Sequence, residues 1–227
     1  MDQIKIKKLG VISGILFLTL WGSGLAVLIQ WLPPLSPLID GKTAFEQMQE
    51  NYAFHMFGVI LMTIFSVMYL PWTVLLSEFI KPIEAPSTFV SNTQIVAGVL
   101  ATVTFFIPPF LWGAAAYRMR EPEITQALLD AGWLIFITGI GPFILQYVAL
   151  AYAILNDKRA VPAFPRWIAY LQIFISMSFL PAVIPYYVKT GPFAWNGVFV
   201  WWLPACVFAI WYFSMLYHAR KAVINGC

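Results

Sequence analysis

Charge is what this 227-residue chain has least of. Asp, Glu, Lys and Arg make up 10% of it, against about a quarter in a soluble domain. A soluble globule so poor in charge could not cover its own surface, so its apolar excess must face something other than water. The formal net charge of +3 is small and its basic residues are scattered, which argues against nucleic acid as a partner. Histidine is almost missing, with His55 and His218 only. Two histidines cannot supply a His-rich di-iron centre, and these two fall at opposite faces of the predicted bundle, so they cannot share a haem. A single axial histidine at either stays open. The two cysteines, Cys206 within an apolar run and Cys227 at the terminus, form neither a disulfide framework nor a metal pair. No dense metal site is expected, and the cofactor is left open. Nucleophile elbows and phosphate-cradling glycine loops are missing too.

Long apolar runs are what the chain does have. Hydrophobic residues make up 61% and the mean hydropathy is +0.79. The runs predict spans at about 9–32, 51–80, 94–117, 128–155, 167–188 and 198–219. Each can cross a core of about 30 Å at 1.5 Å per residue. They are continuous and lack the alternation of barrel strands. The expected fold is therefore all-α, a polytopic transmembrane bundle of about six spans forming one domain over 1–227. Lys5, Lys7 and Lys8 precede the first run, which continues to Gln30, Trp31 and Leu32 without a small-residue cleavage site. It is expected to stay as a span.

Lys and Arg set the orientation. With the N-terminus inside, Lys5, Lys7, Lys8, Lys81, Lys158, Arg159, Arg166, Arg220 and Lys221 fall in the cytoplasm, while Lys42, Arg118, Arg120 and Lys189 fall outside. Both termini are thus expected inside. Trp31, Tyr52, Trp72, Tyr117, Trp167, Tyr186, Tyr187 and Trp195 lie near predicted span ends, as interfacial aromatics do. A short amphipathic helix is expected over 43–50, with Ala44, Phe45 and Met48 on its apolar side.

Ionisable residues are missing from the span middles, which argues against a proton pump, an ion-coupled carrier or a retinal protein. Internal repeats of the inverted-transporter kind are not evident. Proline is present instead: Pro71, Pro108, Pro109, Pro142, Pro181, Pro185 and Pro204 interrupt five spans. Each removes a donor and frees a carbonyl. Either the helices simply kink within a packed bundle, or the kinks converge to open a cavity. Gly139 and Gly141 beside Pro142 permit close approach or a bend. Gln146, near the middle of the fourth span, is the most deeply placed strongly polar side chain and is expected to bond a neighbouring helix.

Polar residues gather at the predicted outer ends. His55 and Asp130 are the candidate catalytic pair, as acid and base. Arg118, Trp133, Gln146, Trp195 and Asn196 are the candidate ligand-binding residues, with Arg118 able to hold a polar head on an apolar ligand. The alternative is that Arg118, Arg120, Glu121, Glu123 and Asp130 pair among themselves and tie helix ends, while Trp195 and Asn196 anchor a surface loop. At the inner face, Asp157 and Arg166 are expected to bridge the fourth and fifth spans.

The segments Phe164-Pro165-Arg166-Trp167, Lys189-Thr190-Gly191-Pro192-Phe193-Ala194-Trp195-Asn196-Gly197 and Asp130-Ala131-Gly132-Trp133 resemble a family of small bacterial multi-pass inner-membrane proteins. The likeness covers most of the chain from the third span onward. It implies a bacterial inner membrane and brings no activity with it.

Three functions stay open. The first is a bundle that binds an apolar small molecule or lipid between kinked helices, or serves as a subunit of a membrane complex. The second is an enzyme on a lipid-soluble substrate using His55 and Asp130. The third is a small transporter or channel. Expected partners are membrane lipids, an apolar small molecule, and further copies or subunits; nucleic acid is not among them.

Overall fold

A computed structural model describes residues 3–27, 32, 34–117 and 121–226. The chain is all-helical, with no strand among these residues. Six helical stretches are long and apolar enough to cross a membrane: Ile4–Ala26, Tyr52–Glu84, Phe89–Tyr117, Pro122–Asn156, Arg166–Tyr186 and Gly191–Ile224. They are spans 1 to 6 below. Helix is the form that satisfies every backbone group where no water is at hand. The outward faces are as apolar as the core. Phe54, Phe57, Ile60 and Ile64 are exposed in span 2, and Val96, Val99, Leu100 and Val103 in span 3. A flank of this kind is suited to lipid.

Few spans are uniform helices. Span 1 runs as α1 (Gln3–Leu16), a π-helical turn (Phe17–Trp21) and α2 (Gly22–Val27). The short helix α3 (Gly41–Glu50) follows. Span 2 is α4 (Tyr52–Phe65), a 3₁₀ turn (Ser66–Met68) and α5 (Tyr69–Glu84). Span 3 is the single helix α6 (Phe89–Tyr117). Span 4 breaks at Gly139 and Ile140, between α7 (Pro122–Thr138) and α8 (Gly141–Asn156). Span 5 is α9 (Arg166–Phe179) with a 3₁₀ end (Leu180–Tyr186). Span 6 enters through a π turn (Val198–Trp202) into α10 (Leu203–Ile224).

Proline chemistry accounts for much of this. Pro71, Pro142 and Pro204 each lie within the first three residues of a fresh α-helical segment, just after a 3₁₀ turn, a break or a π turn. That is the place in a helix where a missing N–H does least harm. Pro181 and Pro185 lie in the 3₁₀ stretch. Pro108 and Pro109 sit inside α6 without breaking it. Pro109 has no N–H to give the Phe105 carbonyl four residues back, and the Trp21 indole N–H donates to that carbonyl instead, at 3.2 Å. One residue's defect thereby ties span 3 to span 1.

The two ends of the bundle are closed differently. At one end Lys7 lies over the Phe79 ring at 5.5 Å, Phe79 meets Phe164 edge-on, and Trp167 meets His218. Asp157 accepts from Arg159, at 2.9 Å from Nε and 2.7 Å from a terminal nitrogen, and Arg159 also reaches the Phe79 carbonyl at 3.4 Å. The expected Asp157–Arg166 bridge is therefore replaced by a pair within one turn of loop. Arg166 instead begins α9. Burial alone would raise the Asp157 carboxyl; hydrogen bonds from the Arg159 side chain and backbone, and its charge, outweigh that and hold it below the usual value.

The opposite end carries α3. Asp40 caps this helix by accepting from the Thr43 N–H at 3.0 Å and its hydroxyl at 2.7 Å. The Thr43 side chain first, then its backbone, holds the Asp40 carboxyl below its ordinary value. Ala44, Phe45 and Met48 are buried, as the amphipathic pattern predicts. Gly41 presses on the start of α7, where an added Cβ would meet the Pro122 carbonyl oxygen at 2.0 Å. The Trp195 indole donates to the Leu35 carbonyl at 2.6 Å, joining the segment that opens span 6 to the loop before α3.

Candidate functional site

The irregular turns converge. Phe17, Trp21 and Gly22 from span 1, Phe105 from span 3, and Ile137, Ile140 and Phe143 around the break in span 4 line one cavity. Phe179 and Ala182 of span 5 and Val200, Trp201, Pro204 and Ala209 of span 6 complete its wall, enclosing about 420 Å³. This lies within the range of roughly 300–1,000 Å³ usual for ligand sites. Of the two alternatives left open by the prolines, the converging one describes this region.

Apolar atoms dominate the wall. Among its described residues only Cys206 has an ionisable side chain, and Trp21 already spends its N–H on Phe105. Leu32, Trp202, Ala205 and Cys206 belong to the wall and are also exposed, so the cavity opens on the bundle's flank between spans 1 and 6. Its deep end is closed by rings. Phe105 lies 4.9 Å from Phe17, 5.3 Å from Phe143 and 6.3 Å from Phe208, centroid to centroid.

Beyond that layer of rings is a buried polar cluster. The Tyr69 ring lies 5.4 Å from that of Phe105, centroid to centroid, and its hydroxyl donates to Gln146 Oε1 at 2.8 Å. Gln146 Nε2 donates to Thr73 Oγ1 at 2.7 Å, and Gln94 Nε2 donates to the same oxygen at 2.8 Å. All four residues are completely buried. Gly98 makes room for them, since a Cβ there would lie 2.0 Å from Thr73 Oγ1 and 2.6 Å from Gln146 Nε2. A second knot joins spans 5 and 6, where the Trp211 indole donates to Gln172 Oε1 at 2.7 Å. These clusters hold helices together without charge.

The rim is arranged otherwise than as a single site. His55 is buried in α4 and hydrogen-bonds to the backbone of Trp112 on α6, so it joins spans 2 and 3. Asp130 is half-buried, faces the charge of Lys189, and lines a crevice of about 10 Å³ with Trp133 and Trp195. That is room for about one water. His55 and Asp130 share no hydrogen bond or ion pair among the described residues. Trp133 is buried, 4.9 Å from Trp112 and 5.9 Å from Trp201. Asn196 is half-buried and Trp195 buried. Trp195 does not float at the surface as a membrane anchor, because its N–H is drawn inward to Leu35. Trp72, expected at an interface, is completely buried against Tyr212. Arg118 and Arg120 lie outside the described residues, as does Trp31.

Gln146 bonds a neighbouring helix, as expected of it. Gln94 and Gln172 were missed; a glutamine in an apolar run was the available signal. The cavity wall was missed entirely, because its phenylalanines and tryptophans look in sequence like any other apolar residues. Among the described residues no three His, Cys, Asp or Glu side chains gather to hold a metal ion. Comparison of the chain with protein-family models, curated proteins and solved structures found no match, so the cavity and its surroundings stand as the ground for a functional reading.

Proposed function

We propose that this multi-pass membrane protein holds an apolar small molecule or a lipid chain within its bundle, and that it sits in a bacterial inner membrane with both termini in the cytoplasm. The observation that carries the binding role is the aromatic cavity of about 420 Å³ opening on the lipid-facing flank. In comparison, the crevice beside Asp130 is too small for any substrate. An acid–base role would need His55 and Asp130 to meet over a common molecule, and their contacts lead in different directions. The orientation rests on the nine Lys and Arg residues of one face against four on the other.

Gly22 supplies the test. It lines the cavity, and a Cβ built there meets nothing within 4 Å. Gly22→Leu should fill the space without displacing a neighbour. Native purification with lipid mass spectrometry should find an apolar species with the wild type and less than about half as much with the variant. Recovery of bare wild-type protein, or equal loading of both, overturns the reading.

A further inference from the structure

Resting on that reading, we infer that the occupant is an acyl chain of a membrane lipid, inserted sideways between spans 1 and 6 with its head group left outside the cavity. Shape is the first ground. Along span 6 the wall extends from Val200 to Ala209, nine rises of 1.5 Å, or about 14 Å. An apolar space running that far along one span suits an extended hydrocarbon chain laid beside it.

Chemistry is the second ground. The described wall offers no charged group, amide or hydroxyl, and its one buried polar hydrogen without an acceptor is the Trp201 indole N–H, so a charged or multiply polar ligand end would be buried there largely unsatisfied. A chain terminus has nothing to satisfy. The third ground is the mouth. Leu32, Trp202 and Cys206 belong to the wall and are exposed, on a flank where a lipid's own chains already lie. A chain can pass from bilayer to cavity without crossing water. The phenylalanine layer around Phe105 then stops it short of the Tyr69–Gln146 cluster and sets its length.

The full chain, reconstituted in phosphatidylcholine nanodiscs, should be irradiated with trace phospholipids carrying a terminal diazirine on chains of about 10, 14 or 18 carbons, whose extended lengths run from near the wall's length of about 14 Å to well beyond it. With the about-14-carbon probe, peptide mapping should place adducts on Phe105, Phe208 or Ala209, at least about threefold above Gly22→Leu and Ala209→Leu, a gain that a handful of close atom contacts supplies. The shortest chain should label nearer Leu25 and Trp202. Depth of labelling that does not depend on chain length overturns the acyl-chain inference. So does competition by a polycyclic or isoprenoid compound but not by phospholipid, although the cavity's binding role then survives. Adducts confined to outward residues such as Ile210 and Phe213, equal in wild type and both variants, overturn both.

Discussion

At the residue scale, the side chains that matter most are uncharged and few. Gln146 satisfies the Tyr69 hydroxyl and donates to Thr73. Gln146→Leu removes both bonds and leaves a buried hydroxyl without its acceptor. The expected loss is about 1–2 kcal/mol, read as a lower unfolding midpoint in detergent. Gly98→Ala should be at least as harmful although it adds one methyl, because the new Cβ would sit 2.0 Å from Thr73 Oγ1. Overpacking of that kind costs about 1–3 kcal/mol, measured in the same assay. Asp157 brings a pH dependence. Its carboxyl is held below the ordinary value by Arg159, so its contribution is complete above the unfolded aspartate pKa of about 4 and disappears as pH falls through the lower folded value. Denaturant titrations should find Asp157→Asn less stable than wild type at pH 7, with the gap closing under strong acid. A gap that persists or widens there would contradict the pairing.

At the element scale, a proline and a tryptophan from different spans act as one device. Trp21 donates to the carbonyl that Pro109 leaves open. Trp21→Phe should strand that carbonyl and destabilise by about 1 kcal/mol beyond the lost packing. Pro109→Ala restores an N–H four residues after Phe105, so in that background the extra penalty should vanish. A double-mutant cycle measures the coupling; additive effects would show that the indole and the proline are independent. The π turns (Phe17–Trp21 and Val198–Trp202) serve the same end, because both lie where the cavity wall is built. Regular helices in those places would turn different side chains toward the wall.

At the scale of the whole molecule, six spans put both described chain ends, Gln3 and Gly226, on one side. If that side is cytoplasmic, cysteines introduced at Lys42 and Lys189 should react with an impermeant maleimide in intact cells, whereas those at Lys5 and Asn225 should react only after permeabilisation. Labelling of Lys5 and Asn225 positions on opposite sides would refute the even number of spans. The cavity belongs to this scale as well, since five spans contribute to its wall. Span 2 takes no part in the wall and instead carries Tyr69 and Thr73 behind the ring layer.

Spans, their number and the buried role of Gln146 were legible in the amino-acid order alone. They follow from local quantities: a run of apolar residues must leave water wherever it goes, and a lone amide within such a run must find a partner. The irregularities beside Pro71, Pro142 and Pro204 were legible too, since proline lacks an N–H in any context, whereas Pro108 and Pro109 leave α6 whole and the π turn Phe17–Trp21 holds no proline to announce it. Tertiary structure decided where the freed carbonyls turned, which aromatic rings became wall or floor, and that Trp195 points inward to Leu35 while Asp157 takes Arg159. Those outcomes depend on which faces of distant segments meet, and one phenylalanine in an apolar helix carries no mark of whether it will touch lipid, another helix or an empty space.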